Sequence, residues 1–195
     1  MRLRVSALLF LLALVSHAHA ITVRISAQAL ERTLNKQLFK GPGGRYYLRG
    51  HDGSGCFVYA EDPKVSFRDE RVVVHVKTHS RLGGSMHGAC LGIGLNVEAD
   101  VSLVPEAQGE TLGFRDPRIE NLSESRELNV FLEPFLNHKL PQEMKLNAAD
   151  LMRQGLATSK QTTGYNLTLQ TLTIHSMQVN GDVLVLDLDG DLDVQ

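Results

Sequence analysis

Beyond position 20 the chain has no apolar run approaching the roughly 20 residues of an ordinary membrane-spanning helix, which excludes such a span from its body. Basic residues are in the minority, 20 against 22 acidic. That balance excludes the basic face nucleic acid requires. Cysteine is scarce: Cys56 and Cys90 are the two in 195 residues. No Gly-rich phosphate loop is present either, because Gly88, Gly92 and Gly94 lead into a strand pattern and no Lys-Ser or Lys-Thr follows them.

What is there begins with an address. The N-terminus carries Arg2 and Arg4, an apolar stretch from Val5 to Val15, and Ala18-His19-Ala20, the small-x-small pattern of a cleavage site. Residues 1–20 are therefore expected to be a secretory signal peptide. Cleavage near Ala20 would leave a soluble, periplasmic or secreted chain of 18 basic against 22 acidic residues, a formal charge of −4. About 175 residues are enough for one domain with a sizeable core, 21–195. No cysteine near the cleavage site offers a thioether-lipid anchor, so membrane contact would be peripheral. In an exported chain an even pair of cysteines reads as a disulfide. Closing Cys56 to Cys90 would stabilise by roughly 3 to 4 kcal/mol. A reactive thiol would need a basic neighbour, and His87 is the one near Cys90.

Ser26 is placed to cap a helix with the stripe Leu30, Leu34 and Leu38, and Ile25 with Leu30 suits a hydrophobic staple. Gly41-Pro42-Gly43-Gly44 ends it. From Cys56 the period becomes two. Val65 and Phe67, then Val72, Val74 and Val76, form two runs joined by a charged tip at Arg68 to Arg71; a Gly-rich connection, Gly83 to Gly94, follows. Leu95, Val97, Ala99, Val101 and Leu103 mark the clearest strand, expected to end at Pro105. Leu112 to Glu120 is another. Asp62-Pro63-Lys64-Val65 and Asp116-Pro117-Arg118-Ile119 echo each other, and each proline belongs at a strand start, bulge or edge.

Leu128, Leu132, Phe135, Leu136 and Leu140 share a helical face that Pro134 must kink or break. Asn147 and Asp150 form a capping pattern for a short helix over 148–156. The chain closes on a long hairpin, with Asn180-Gly181 expected as the central pair of a type I′ turn. The fold class expected is α+β: a long, highly curved antiparallel β-sheet wrapping one long helix and one kinked or broken helix. Length supports the curvature. A strand over 91–104 reaches about 45 Å, whereas a helix over 27–39 spans about 20 Å. Either the sheet curls around its helices or an apolar strip is left for a ligand or partner.

Chemistry-bearing residues mostly have plainer explanations. Asp187, Asp189, Asp191 and Asp193 flank Gly190 in the wrong order for a calcium loop and alternate with leucines as a solvated strand face does. His75 and His79 lie about 13 Å apart along a strand, too far to chelate one metal, and read as two exposed histidines. His51, Asp52 and Ser54 read as a polar loop, since triads are assembled in space from separate elements. Asn121-Leu122-Ser123 and Asn166-Leu167-Thr168 match the N-glycosylation pattern, which matters only in a host that modifies asparagine. No catalytic residue, metal site or cofactor is expected.

Ile25-Ser26 opening a helix with Leu30, Leu34 and Leu38, the two Asp-Pro-basic-aliphatic segments, the Leu128 to Leu140 helix and the final long strands together resemble the tubular lipid-binding (TULIP-like) superfamily, and within it small single-domain periplasmic proteins. That resemblance implies a curved sheet wrapped on a helix, an apolar interior able to receive acyl chains, and a carrier of lipid or another hydrophobic small molecule. The candidate groove residues are Leu34, Leu38, Leu132, Phe135 and Leu136 opposite Val97, Val101 and Leu186. The same residues more commonly form a plain packed core, because buried apolar stripes are what every helix and sheet needs. With a filled interior the chain would instead be an interaction module docking an envelope protein. A hydrolase using His51 and Ser54 is a third, lesser reading.

Overall fold

Where Ser26 turns the chain from strand to helix, its Oγ accepts a hydrogen bond from the Ala29 N–H at 3.3 Å, filling one of the donor vacancies of the first helical turn. This is seen in a computed structural model that describes residues 21–86 and 89–195. The expected signal segment with Ala20, and His87 beside the cysteine pair, lie outside the described residues. β1 (Ile21–Ser26) leads into α1 (Ala27–Gln37), followed by β2 (Tyr46–Arg49), β3 (Phe57–Arg68), β4 (Arg71–Met86), β5 (Ala89–Gln108) and β6 (Thr111–Asn121). α2 (Arg126–Pro134), a wide π turn over Phe135–Lys139, α3 (Leu140–Glu143), β7 (Leu146–Asn147), α4 (Ala148–Leu156) and α5 (Ser159–Thr163) precede the hairpin of β8 (Leu167–Asn180) and β9 (Val183–Val194).

The class is α+β with a strongly curled antiparallel sheet, as the pattern predicts. The strands divide into two sheets, one of order β2-β3-β4-β5-β6-β7 and one of order β1-β9-β8. β1 takes the free side of the hairpin, Ile25 opposite Leu184 and Val23 opposite Leu186, so the hairpin builds its own layer. The Ile174 N–H donates to the Gly109 carbonyl at 3.2 Å, holding β8 beside the β5–β6 turn.

The two Asp-Pro segments are the same device. Asp62-Pro63 is inserted where Glu61 pairs with Lys77 and Lys64 with His75; Asp116-Pro117 is inserted where Arg115 pairs with Val104 and Arg118 with Ser102. Each is a bulge that absorbs a proline with no N–H to donate, and bulges increase bend and twist. The aspartates adopt φ of 51° and 50°, a region aspartate tolerates better than most side chains. Basic residues hold them there. Lys77 and Lys64 lie 2.9 and 3.2 Å from Asp62, and Arg71 and Arg118 lie 3.0 and 2.9 Å from Asp116. Hydrogen bonds from Lys77 and Lys64 hold the Asp62 carboxyl below its ordinary pKa, and Arg71 does the same for Asp116.

Three expectations about the strands need correction. Gly83 to Gly94 is not a connection, because β4 and β5 stay paired from Val72–Leu103 out to Met86–Ala89. Gly83 and Gly92 face each other so closely that a Cβ on Gly92 would lie 1.8 Å from the Leu82 carbonyl oxygen. Pro105 does not end its strand, which runs on through a pair with Phe114. The closing turn sits one residue later than Asn180-Gly181: Asn180 pairs with Val183, and of the central residues Gly181-Asp182 only Gly181 has positive φ, 64°. That is the pattern of a type II′ turn, with glycine first.

Pro134 breaks the second helix as expected. The register slips to a wide turn in which the Leu140 N–H reaches the Phe135 carbonyl. The Asn147 side chain accepts from the Asp150 N–H at 2.9 Å and opens α4. Apolar residues gather in two clusters, one under the larger sheet and one beneath the hairpin, and Leu30, Phe67, Met177 and Val179 pack against both.

Candidate functional site

α1 presents two adjacent stripes to the interior. Leu30, Leu34 and Leu38 form the apolar one; Ala29, Thr33 and Gln37, offset by one residue and also spaced by four, form the other. Where the second stripe faces the seam between the sheets, its smaller side chains leave a cavity of about 280 Å³. Ile25 of β1, Leu112 and Phe114 of β6, Met144 and Leu146 around β7, Leu151 of α4, Met177 of β8 and Leu184 of β9 complete the wall. Thr33 and Gln37 are its polar members.

Thr33 is polar in name more than in effect, since its hydroxyl donates to the Ala29 carbonyl at 3.0 Å and so is already satisfied. Gln37 is half-buried, and its amide makes no side-chain hydrogen bond among the described residues. Leu151, 46% exposed, stands at the mouth. The site is therefore an apolar pouch with one free amide. Two methionines, Met144 and Met177, supply unbranched walls that repack easily.

Of the groove candidates, Leu34 lines the cavity. Leu34, Leu38, Val101, Leu132, Phe135 and Leu136 are brought together in the larger core cluster, with Val97 half-buried against it, while Leu186 belongs to the cluster beneath the hairpin. Leu38, Val101, Leu132, Phe135, Leu136 and Leu186 are thus packed core, not wall. Ala29, Thr33 and Gln37 were hidden from pattern reading because a small and polar stripe looks like a solvent face. Its four-residue spacing beside the leucine stripe was the available signal.

Cys56 and Cys90 are joined by a disulfide with their Cα atoms 4.9 Å apart. It ties the glycine-rich end of β4 and β5 to the start of β3. His75 and His79 are not the exposed pair expected: their side chains are 30% and 31% accessible, His75 bonded to Asp100 at 2.6 Å and His79 to Glu61 at 2.9 Å. The His79 ring stacks on Tyr59, which Arg45 caps by a cation–π contact at 4.5 Å. This is a braced sheet face. The aspartates of β9 are likewise engaged, across the hairpin Asp187 with Ser176, Asp189 with His175, Asp191 with Thr171 and Asp193 with Gln170, and on the β1 side Asp187 with Thr22. Ser54 accepts from the His51 backbone N–H and shapes a loop. Among the described residues no group of three or more metal-ligating side chains converges.

No protein-family model matches the chain, and no curated protein matches it. Among solved structures it is similar to the crystal structure of a lipopolysaccharide binding protein, at 10% identity and a TM-score of 0.33, over 88% of this chain and 50% of that one. The chain spans about half the length of that protein.

Proposed function

We propose that this protein is an exported, non-enzymatic carrier that holds one acyl chain, or a comparable slender amphiphile, in the cavity between α1 and the two sheets. The observation that carries the proposal is the wall: eleven of its thirteen residues are apolar, and one of the two others has satisfied its own hydroxyl. Such a space stays dry and gains by filling. A cavity of about 150 Å³ accepts benzene, so 280 Å³ corresponds to roughly a dozen carbon atoms. At about 0.8 kcal/mol per methylene, their burial contributes about 10 kcal/mol, comparable with the cost of association. Binding far weaker than picomolar follows. The Gln37 amide at the wall is placed to meet a head group or a carbonyl.

Native mass spectrometry of the gently purified protein is expected to show a co-purified amphiphile of a few hundred daltons, absent from an Ala29→Phe variant whose added ring occupies the cavity. A ligand-free mass that no single-chain amphiphile shifts would overturn the reading.

A further inference from the structure

β6 pairs with β5 only from Asp100 onward, so the segment Ala89 to Ala99 has β4 on one side and no described strand on the other. Eleven residues of open edge are a template for another strand. Ordinary blunting devices are missing: this stretch contains no proline and no lysine, and Glu98 is its one charge. Its inward face continues the core into the open, since Leu91 and Ile93 are 61% and 56% exposed while Leu95 and Val97 on the same face still pack against the larger cluster. The disulfide at Cys90 fastens this overhang to β3 and holds it in strand geometry, which lowers the ordering cost of docking.

We propose that this edge pairs with the same edge of a second copy, antiparallel about Leu95, joining two curled sheets into one. The edge is self-complementary in that register. Ile93 falls opposite Val97 and Leu91 opposite Ala99, so both overhangs cover each other, as an isologous two-fold interface requires. Glu98 falls opposite Gly92, and no like charges face. Arg81 is exposed and, like Arg24, Arg32, Arg49, Arg68 and Arg126, makes no ion pair among the described residues. Arg81 sits beside Gly94 on the same face as Glu98. Gly92 and Gly94 put no side chain between it and the second copy's Glu98, so the two charges can meet across the seam. None of these residues lines the cavity.

Sedimentation equilibrium of the purified protein from nanomolar to high micromolar concentration is expected to show a reversible dimer. Ile93→Lys, at an exposed position, should weaken it at least about 30-fold, because two copies of the side chain lose their cover. Arg81→Glu and Glu98→Arg should each weaken it, and the double reversal should restore it; thermal melts confirm that each variant is folded. A monomer at every concentration, including one that takes up an extended peptide instead, overturns the proposal. So does a dimer indifferent to Ile93→Lys and to both charge reversals. Weakening by each single reversal without recovery in the double variant refutes the register about Leu95.

Discussion

Two glycines in β5, two residues apart, should respond oppositely to alanine. A Cβ on Gly92 would lie 1.8 Å from the Leu82 carbonyl oxygen and 2.7 Å from the Gly83 Cα, all backbone and unable to swing aside. A Cβ on Gly94 would meet nothing nearer than the Ser80 carbonyl oxygen at 3.6 Å, ordinary contact. Gly92→Ala must part β4 from β5 by more than an ångström beside the disulfide. Overpacking of this kind costs about 1 to 3 kcal/mol, and the lost ladder bonds add about 1 kcal/mol. Gly94→Ala removes unfolded-chain entropy and should stabilise by about 0.5 kcal/mol. In urea unfolding the variants should therefore separate by roughly 2.5 to 4.5 kcal/mol, or about 5 to 18 °C in Tm. Equal stability would refute the close approach and with it the continuous β4–β5 ladder beyond Leu82.

Replacing both Cys56 and Cys90 by serine should cost roughly 3 to 4 kcal/mol by freeing a 34-residue separation, read as a lower urea midpoint. Asp62 and Asp116 have pKa values depressed by their basic partners, so their contribution is present above the ordinary aspartate range and lost as pH falls below it. Asp62→Asn with Asp116→Asn, which keeps a side chain tolerant of positive φ, should lower stability at neutral pH and flatten its acid decline; unchanged pH dependence contradicts the ion pairs. Gly181→Ala, at φ 64°, should cost about 1 to 2 kcal/mol, whereas Asn180→Ala should cost less, because Asn180 already lies in the ladder.

Much of the architecture was readable because local signals agreed with the final packing. Ser26 and Asn147 cap the helices they precede, Pro134 breaks the helix it interrupts, and the charged tip between Phe67 and Val72 is a hairpin turn with Asp69 and Glu70 at positive φ. What was misread depended on contacts distant in sequence. Glycines at 83 and 92 look like loop residues until the strands are superposed and each is found to make room for the other's backbone. The hairpin turn slipped by one residue because Asn-Gly and Gly-Asp are both good turns, and the choice fell to Val179 opposite Leu184 on the apolar face. Leucines at 132 and 136 carry the strongest apolar signal and so are the core; the cavity lies where that signal weakens, along Ala29, Thr33 and Gln37.

The carrier reading is tested most directly by titrating saturated fatty acids of increasing length into the protein and into Ala29→Phe. Each added methylene should tighten binding about fourfold until roughly a dozen carbons fill the cavity, after which affinity should level off, and the variant should bind none tightly. Absence of binding at every length, affinity that climbs unbroken past that length, or an Ala29→Phe variant indistinguishable from the wild type would contradict a lipid chain seated between α1 and the two sheets.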